Sequence, residues 1–180
     1  MLKREEMSER ELQMLFEQMT HPEVLPFVRQ KAATFHEFML LNEQAIEDEA
    51  RGNMVSRVIV DEYSNPIGTI NLFDIREQSG FLGTWIGKEY HGKGFNGLAK
   101  LAFLRELFDE HEINAVFMRI RKENIRSNKA AEKLPYAVKV NDLRVSIFHE
   151  INFAEYAYDL YEIPKELFIL KNEEKKILVH

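Results

Sequence analysis

The sequence contains no cysteine and only one tryptophan, five prolines and eight glycines among 180 residues. Without cysteine there is no disulfide, no thiolate metal ligand and no cysteine nucleophile. No stretch approaches the roughly 20 consecutive apolar residues that span a bilayer, and the first residues lack the apolar core of a signal peptide. These absences predict a soluble, cytoplasmic protein that does not act at a membrane.

Composition and charge narrow the class further. Hydrophobic residues make up 45% and charged residues 30% of the chain, as in a globular protein, and this length suits one well-buried core. The net charge of −6 argues against nucleic-acid binding by phosphate attraction. Residues 91–140 nevertheless hold 10 Lys/Arg and 6 Asp/Glu, which indicates a small polyanionic ligand. The six histidines show no metal-binding spacing, so we expect no metal.

Hydrophobic periodicity predicts an alternation of helices and strands. Ser8 and Glu11 form a capping-box pattern at the start of a first helix over 8–19. The other predicted helices are 34–51, one following the glycine-rich segment 87–97, and 127–134; the predicted strands are 55–60, 67–73, 80–86, 115–120, 138–148 and 153–162. The predicted inward faces are Phe35, Phe38, Met39, Asn42 and Ile46 on the second helix, and Leu98, Leu101, Leu104, Leu107 and Phe108 on the third.

The segment Gly92-Lys93-Gly94-Phe95-Asn96-Gly97 satisfies three glycine-rich patterns to different degrees. A dinucleotide fingerprint would follow a buried strand directly, whereas polar residues precede Gly92. A P-loop needs Ser or Thr where Gly94 stands. Whichever pattern applies, backbone N–H groups at a helix N-terminus can hold a pyrophosphate, because glycines permit close approach and positive φ.

The turn resembles the acetyl-CoA-binding motif of the GNAT acetyltransferase family, Arg/Gln-x-x-Gly-x-Gly/Ala. His91 takes the first place, Gly94 the invariant glycine, and Asn96 departs from the Gly/Ala place. Segment 123–134 resembles the family's second motif, and its Asn-x-x-Ser form is similar to the ribosomal-protein N-terminal acetyltransferase branch. The likeness runs from about Ser8 to Glu162, with Pro135-Tyr136 in place of the usual Gly-Phe.

This resemblance implies an α/β (α+β) fold: one GNAT-like domain over 1–180, with a core at about 8–162 and a C-terminal extension at 163–180. It implies a mixed, mostly antiparallel sheet of six to seven strands, two of them splayed, flanked by about four helices. Acetyl-CoA would be the co-substrate. The residues implied to bind it are Trp85, Ile86, Gly87, His91, Gly92, Lys93, Gly94, Phe95, Asn96, Gly97, Asn124 and Asn128.

Ser127 is the catalytic candidate that the resemblance implies, as proton donor to the leaving thiolate; it also suits a helix N-cap. Tyr136 and Tyr156 are other hydroxyl candidates. No general base stands out in 81–86, which leaves a water chain or one of Glu123, His149 and Glu150.

The expected acceptor is a small-molecule or peptide amine: a peptide N-terminus, a polyamine or an aminoglycoside-like amine. The acidic N-terminal half would favour a cationic one, and Trp85 is a candidate for lining its pocket. The alternative is a catalytically inert GNAT-fold module that binds CoA as a sensor or scaffold. We expect a monomer or homodimer.

Overall fold

The structure is a computed structural model that describes residues 2–3, 7–153 and 156–177. Within these residues lie six α-helices and seven β-strands. In chain order they are β1 (Leu2–Lys3), α1 (Glu9–Met19), α2 (Phe35–Ala50), β2 (Val55–Val60), β3 (Pro66–Arg76), β4 (Ser79–Ile86), α3 (Phe95–Glu110), β5 (Ala115–Arg121), α4 (Ile125–Glu132), β6 (Val138–Lys139), α5 (Val145–Ile151), β7 (Tyr158–Pro164) and α6 (Lys165–Ile177).

The chain divides into two compact units. The first comprises residues 1–75 and 83–111, and the second 76–82 and 112–180. Hydrogen-bonded strands follow the order β1-β2-β3-β4 in the first unit and β4-β5-β7-β6 in the second, because β4 runs through both.

Local chemistry explains the first unit's opening helices. The Ser8 hydroxyl accepts from the Glu11 amide and the Glu11 carboxylate accepts from the Ser8 amide, so the predicted capping box is present. Thr34 caps α2, and Gly52, with φ of +75°, follows its last turn. The inward face of α2 was predicted wrongly at one position, because the Ile46 side chain is 50% exposed while Ala45 lines a cavity.

Helix α3 packs against the sheet through Ala99, Phe103 and Leu107. Leu98, predicted to face inward, is 68% exposed because the buried stripe starts one residue later. The same face carries the carboxylate of Glu106, which accepts a hydrogen bond of 2.7 Å from Nε of Arg57 on β2. Both side chains are buried. Removing one member of such a pair costs about 3–5 kcal/mol, so this contact fixes α3 on the sheet.

In the second unit, β5 pairs antiparallel with β7 along its whole length, from Ala115 opposite Pro164 to Arg121 opposite Tyr158. The predicted strand 138–148 is wrong beyond Lys139. Of the predicted strand 153–162, residues 154–155 lie outside the described residues, and the described part forms a strand from Tyr158. The Asn141 side chain accepts from the Leu160 amide, so a side chain replaces the next ladder bond of β6. Residues 145–151 then form α5, and α6 follows β7 directly.

The strand pairings confirm the predicted mixed, mostly antiparallel sheet. A two-residue turn joins β3 to β4, with φ of 47° at Glu77 and 61° at Gln78, as a tight hairpin turn requires. The parallel pairing of β4 with β5 covers only three residues of each strand, 79–81 and 115–117, which fits two splaying strands. Six helices were found where about four were expected. No helix in the described ranges is long and apolar enough to cross a membrane.

Candidate functional site

The glycine-rich segment forms a tight turn at the N-terminus of α3. Gly92 and Gly94 have φ of +76° and +86°, which side chains adopt at a cost. Gly94 is the N-cap residue, and no side chain caps the helix there. A Cβ added at Gly92, Gly94 or Gly97 would meet no atom within 4 Å. The first amides of a helix have no partner within it, so the turn presents N–H groups and the positive end of α3 to an open space.

His91 ties this turn to the strand before it. Its Nε2 lies 2.9 Å from the Ile86 carbonyl oxygen, and because a carbonyl only accepts, Nε2 carries the hydrogen. The Gly87 amide donates to the Ile67 carbonyl of β3 at 2.8 Å. Backbone groups alternate between the two edges of a strand, so Gly87 turns towards β3 and Ile86 towards the opposite edge. Of the residues predicted to pair with a pantetheine arm, Ile86 is therefore the best placed.

Gly87 is required by a close neighbour. Its Cα lies against Gln18 of α1, so that a Cβ would come within 2.1 Å of the Gln18 Oε1 atom. Gln18 donates through Nε2 to the Pro66 carbonyl at 2.9 Å, while its Oε1 is buried and has no hydrogen-bond partner among the described residues. The end of β4 is thus held by both α1 and β3.

Aromatic residues flank the turn. Tyr90 and Phe95 pack edge to face with ring centroids 5.7 Å apart, and the Lys93 ammonium lies 5.5 Å above the Tyr90 ring. Burial raises the pKa of Tyr90, so its hydroxyl stays protonated at neutral pH. Asn96 is exposed and lies in the first turn of α3 rather than in a left-handed conformation, so its side chain is compatible with the motif.

A cavity of about 120 Å³ lies inside the first unit. Residues of α1 and α2, including Leu15, Phe38 and Ala45, line one side, and β2, β3 and the end of β4 line the other. Trp85 lines the cavity. It also packs against two buried apolar clusters, so its indole belongs both to the core and to the cavity wall; the clusters are Met19, Val24, Val28 and Ala32, and Leu15, Val58 and Val60. The strand that borders the cavity therefore continues into the glycine-rich turn.

The lining is apolar for the most part, and its polar or charged residues are Arg29, Gln30, Asn42, Ser56, Thr69, Asn71 and Thr84. The Thr84 hydroxyl is buried and has no hydrogen-bond partner among the described residues. The Ser56 hydroxyl donates to Asn71 Oδ1 at 2.6 Å, and Asn71 Nδ2 donates to Thr69 at 3.4 Å. Among the described residues that line the cavity, Arg29 is the one that carries a charge. Its guanidinium lies 4.3 Å above the Phe73 ring and pairs with Asp74 at 2.5 Å.

The second unit holds the other predicted site residues. Asn124 caps α4, because its Oδ1 accepts from the Ser127 amide at 3.1 Å. The helix thus begins at Ile125, and the interpretation of Ser127 as N-cap is wrong. Asn128 is buried: its Nδ2 donates to the carbonyls of Arg121 and Asn124, and its Oδ1 accepts from the Tyr161 hydroxyl at 3.2 Å. Both asparagines therefore fix the segment that carries Ser127.

The remaining catalytic candidates lie in ordinary positions within this unit. Tyr136 is buried and packs edge to face on Phe168, with centroids 4.9 Å apart. Tyr156 is 40% exposed. The three base candidates are all exposed: Glu123, His149 and Glu150. Among the described residues there is no cluster of three or more His, Asp or Glu that could hold a metal ion.

Two features had escaped sequence reasoning. The cavity is lined by segments from across the first unit, so no local pattern could reveal it. Lys100 of α3 is the second, because burial lowers the pKa of its ammonium from 10.5 to about 8. Its position in a helix of mixed composition gave no sign of burial, although it lies four residues before the buried Leu104.

Comparisons with known proteins agree with this geometry. The chain has the fold of a point mutant of the spermidine N-acetyltransferase SpeG from Vibrio cholerae, with a TM-score of 0.72, 17% identity, and coverage of 96% of this chain and 99% of that one. It also matches apo FdhC, a nucleotide-linked sugar GNAT, with a TM-score of 0.72, 17% identity, and coverage of 96% and 89%. No curated protein sequence matches.

A family model supplies the sequence-level assignment. The model described as "Acetyltransferase (GNAT) domain" matches residues 5–136. This range includes the whole glycine-rich turn, α3 and the segment that carries Asn124, Ser127 and Asn128. The chain therefore belongs to the GNAT acetyltransferase family.

Proposed function

We propose that this protein transfers the acetyl group of acetyl-CoA to a primary amine in the cytoplasm. The observation that carries the proposal is the open turn at the N-terminus of α3, where Gly92 and Gly94 have left-handed φ and no side chain caps the helix. An uncapped helix start with room for an anion suits the coenzyme's pyrophosphate. Membership of the GNAT family supports this use of the turn.

The residues divide the work as follows. The N–H groups from Gly92 to Gly97 bind phosphate oxygens, with Lys93 adding positive charge. The backbone of Ile86, beside that of Trp85 and Gly87, holds the pantetheine arm. His91 positions the turn through Ile86. Asn124 and Asn128 fix the segment that presents Ser127.

The reaction removes two protons from the acceptor nitrogen, adds one to sulfur and exchanges a C–S bond for a C–N bond. The acceptor ammonium loses a proton to water, and the neutral nitrogen attacks the thioester carbonyl carbon. A C–N bond forms, the nitrogen loses a second proton, and the C–S bond breaks with its electron pair on sulfur. Ser127 donates a proton to that thiolate and regains one from water. The products are an amide, CoA thiol and one released proton.

The kind of amine that accepts the acetyl group is the finer part of the proposal. The form of the second motif favours the ribosomal-protein N-terminal acetyltransferase branch, in which the acceptor is a peptide N-terminus. The likeness to the spermidine acetyltransferase, at 17% identity, supports the fold.

Calorimetry with acetyl-CoA tests the coenzyme site. The wild-type protein should bind at micromolar concentrations, and Gly94→Glu should abolish binding by placing a carboxylate against the phosphates. Gly52→Glu is the matched control, because Gly52 has a similar φ of +75° and equally open surroundings at the end of α2. Equal affinity in both variants would refute the proposed site.

A thiol-release assay with peptides, polyamines, aminoglycosides and monoamines tests the chemistry. Turnover with any of these amines eliminates the alternative of a catalytically inert module that binds CoA. That alternative is supported by the cavity, because no carboxylate or imidazole that could act as a base is among the described residues that line it. Binding of acetyl-CoA without turnover of any amine would favour it.

A further inference from the structure

The cavity of the first unit indicates which kind of amine the enzyme acetylates. We infer that its acceptor is a compact amine with an uncharged, largely apolar body, carrying no positive charge other than the reacting nitrogen. This inference rests on the proposed acetyl transfer and adds the substrate class. It differs from the prediction, based on net charge, of a polycationic acceptor, and the experiments below distinguish the two.

Position connects the cavity with the reaction. Gly83, Thr84 and Trp85 of β4 line the cavity, and the same strand ends at Ile86, the residue placed to hold the pantetheine arm. An acceptor body lodged against Trp85 lies beside the strand along which the coenzyme's reactive end is bound. Gly83 makes room in this wall for the Phe73 ring, since a Cβ there would come within 2.6 Å of it.

The charge of the lining excludes polycations. The acidic side chains of α2 that the sequence suggested, such as Glu43 and Glu47, are exposed and do not line the cavity. The lining's charged residue is Arg29, which is itself positive. A second ammonium inside would lose its water, while the two carboxylates bonded to lining residues are already paired: Asp74 with Arg29, and Glu49 with Arg57.

The size and polarity of the cavity limit the kind of uncharged acceptor body that it can hold. Cavities of roughly 150 Å³ lined by apolar side chains bind benzene, so about 120 Å³ suits a short alkyl chain or a single ring. Uncharged polar contacts are offered by the Ser56–Asn71–Thr69 chain of hydrogen bonds, by Gln30 and Asn42, and by the Thr84 hydroxyl. A monoamine with a hydrocarbon body matches all three properties of the cavity.

A pair of isosteric amines tests the charge. Pentylamine and 1,4-diaminobutane have equal numbers of heavy atoms and differ by a methyl group in place of the second ammonium. We expect kcat/KM to be at least tenfold higher for pentylamine, and phenethylamine to be accepted as well. Equal or better turnover of 1,4-diaminobutane or spermidine would overturn the inference while the proposed acetyl transfer stands. Failure of every amine in the wider panel would instead refute the proposed function.

Binding can be followed without turnover, because Trp85 is the chain's one tryptophan and lines the cavity. Pentylamine should shift its emission at concentrations where 1,4-diaminobutane does not, with CoA present in both titrations. An identical response to both amines, or a response only to the diamine, would contradict the inference.

Substitutions at Ala45 and Arg29 test whether the cavity determines which amine is preferred. Ala45→Phe fills the cavity and should raise KM for pentylamine at least tenfold while acetyl-CoA affinity stays unchanged; Ile46→Phe, its exposed neighbour on α2, is the matched control. If Ala45→Phe fails to fold, Ala45→Val serves with a smaller shift. Arg29→Ala removes the positive charge and releases Asp74, so the preference for pentylamine over the diamine should fall. An unchanged preference in Arg29→Ala, together with unchanged KM in a folded Ala45 variant, would overturn the inference.

Discussion

Gln18 of α1 occupies the space that any side chain at position 87 would need, with its Oε1 atom 2.1 Å from the site of a Gly87 Cβ. Gly68 of β3 stands in a similar relation to the main chain of β4, since its Cβ would lie 2.2 Å from the Trp85 carbonyl oxygen. A flexible side chain can move away from an added methyl group, whereas a strand backbone cannot without disturbing its hydrogen bonds.

Gly87→Ala and Gly68→Ala should therefore differ in stability. Overpacking costs about 1–3 kcal/mol, and we expect Gly87→Ala near the lower end and Gly68→Ala at the upper end or beyond. Chemical denaturation measures both. Adding Gln18→Ala to Gly87→Ala should cost less than the two single changes together, and an additive result would show that the clash is not with Gln18.

Gly97→Ala should separate stability from coenzyme binding. Gly97 has no positive φ and its surroundings are open, so alanine should stabilise α3 by about 0.5–1 kcal/mol. The same methyl group lies where phosphate oxygens would approach the helix start, so acetyl-CoA affinity should fall. Thermal unfolding and calorimetry on one preparation test both effects. A stabilised variant with unchanged affinity would move the phosphates away from this position.

Ser127→Ala should lower kcat with little change in KM for acetyl-CoA, as expected when a group donates a proton only as the thiolate leaves. Its stability should be nearly unchanged, because Asn124 is the N-cap of α4. Asn124→Ala is the structural control and should cost about 1 kcal/mol of unfolding free energy. Ser127→Thr should restore part of kcat, and full activity in Ser127→Ala would exclude the proton-donor role.

Lys100→Met should stabilise the protein in a pH-dependent way. The pKa of Lys100, a partly exposed residue, is lowered from 10.5 to about 8 by desolvation of its ammonium, so below pH 8 the folded state carries the cost of desolvating that charge. As pH rises from 8 to 10.5 the folded state loses its proton first, and that cost disappears. The variant should gain about 1–3 kcal/mol at pH 7, with the gain shrinking towards pH 10.5.

Denaturant unfolding at pH 7, 8.5 and 10 measures this gain. The exposed Lys129→Met controls for the general effect of removing a positive charge from this acidic chain. A gain from Lys100→Met that stays constant across the three pH values would contradict the assignment of a buried ammonium.

Local patterns predicted the elements that depend on local bonds. The capping box of Ser8 and Glu11 and the strand over 55–60 are decided by residues that neighbour one another in sequence. The glycines of the turn indicated left-handed backbone there, because other residue types rarely adopt positive φ. The meander of β2, β3 and β4 follows from short connections, which favour antiparallel neighbours.

Elements decided by distant partners were predicted less well. Segment 145–151 has the β-branched residues of a strand, but Phe148 and Ile151 pack beside Leu160 at helical spacing, and Arg144 before it is held by Glu162 of β7 at 2.8 Å. The cavity of the first unit depends on side chains from several elements. The cationic acceptor indicated by net charge stays a prediction, because net charge does not distinguish exposed carboxylates from those that would line a cavity.

The buried pair of Arg57 and Glu106 has a consequence for motion. Helix α3 cannot tilt or slide without separating these two charges, and that would cost about 3–5 kcal/mol. Any adjustment to an arriving anion must then occur in the short segment before the helix, at Gly92 and Gly94, which have no side chain to restrain them. The helix would serve as a fixed platform whose first amides already point at an arriving anion, while the two glycines before it adjust.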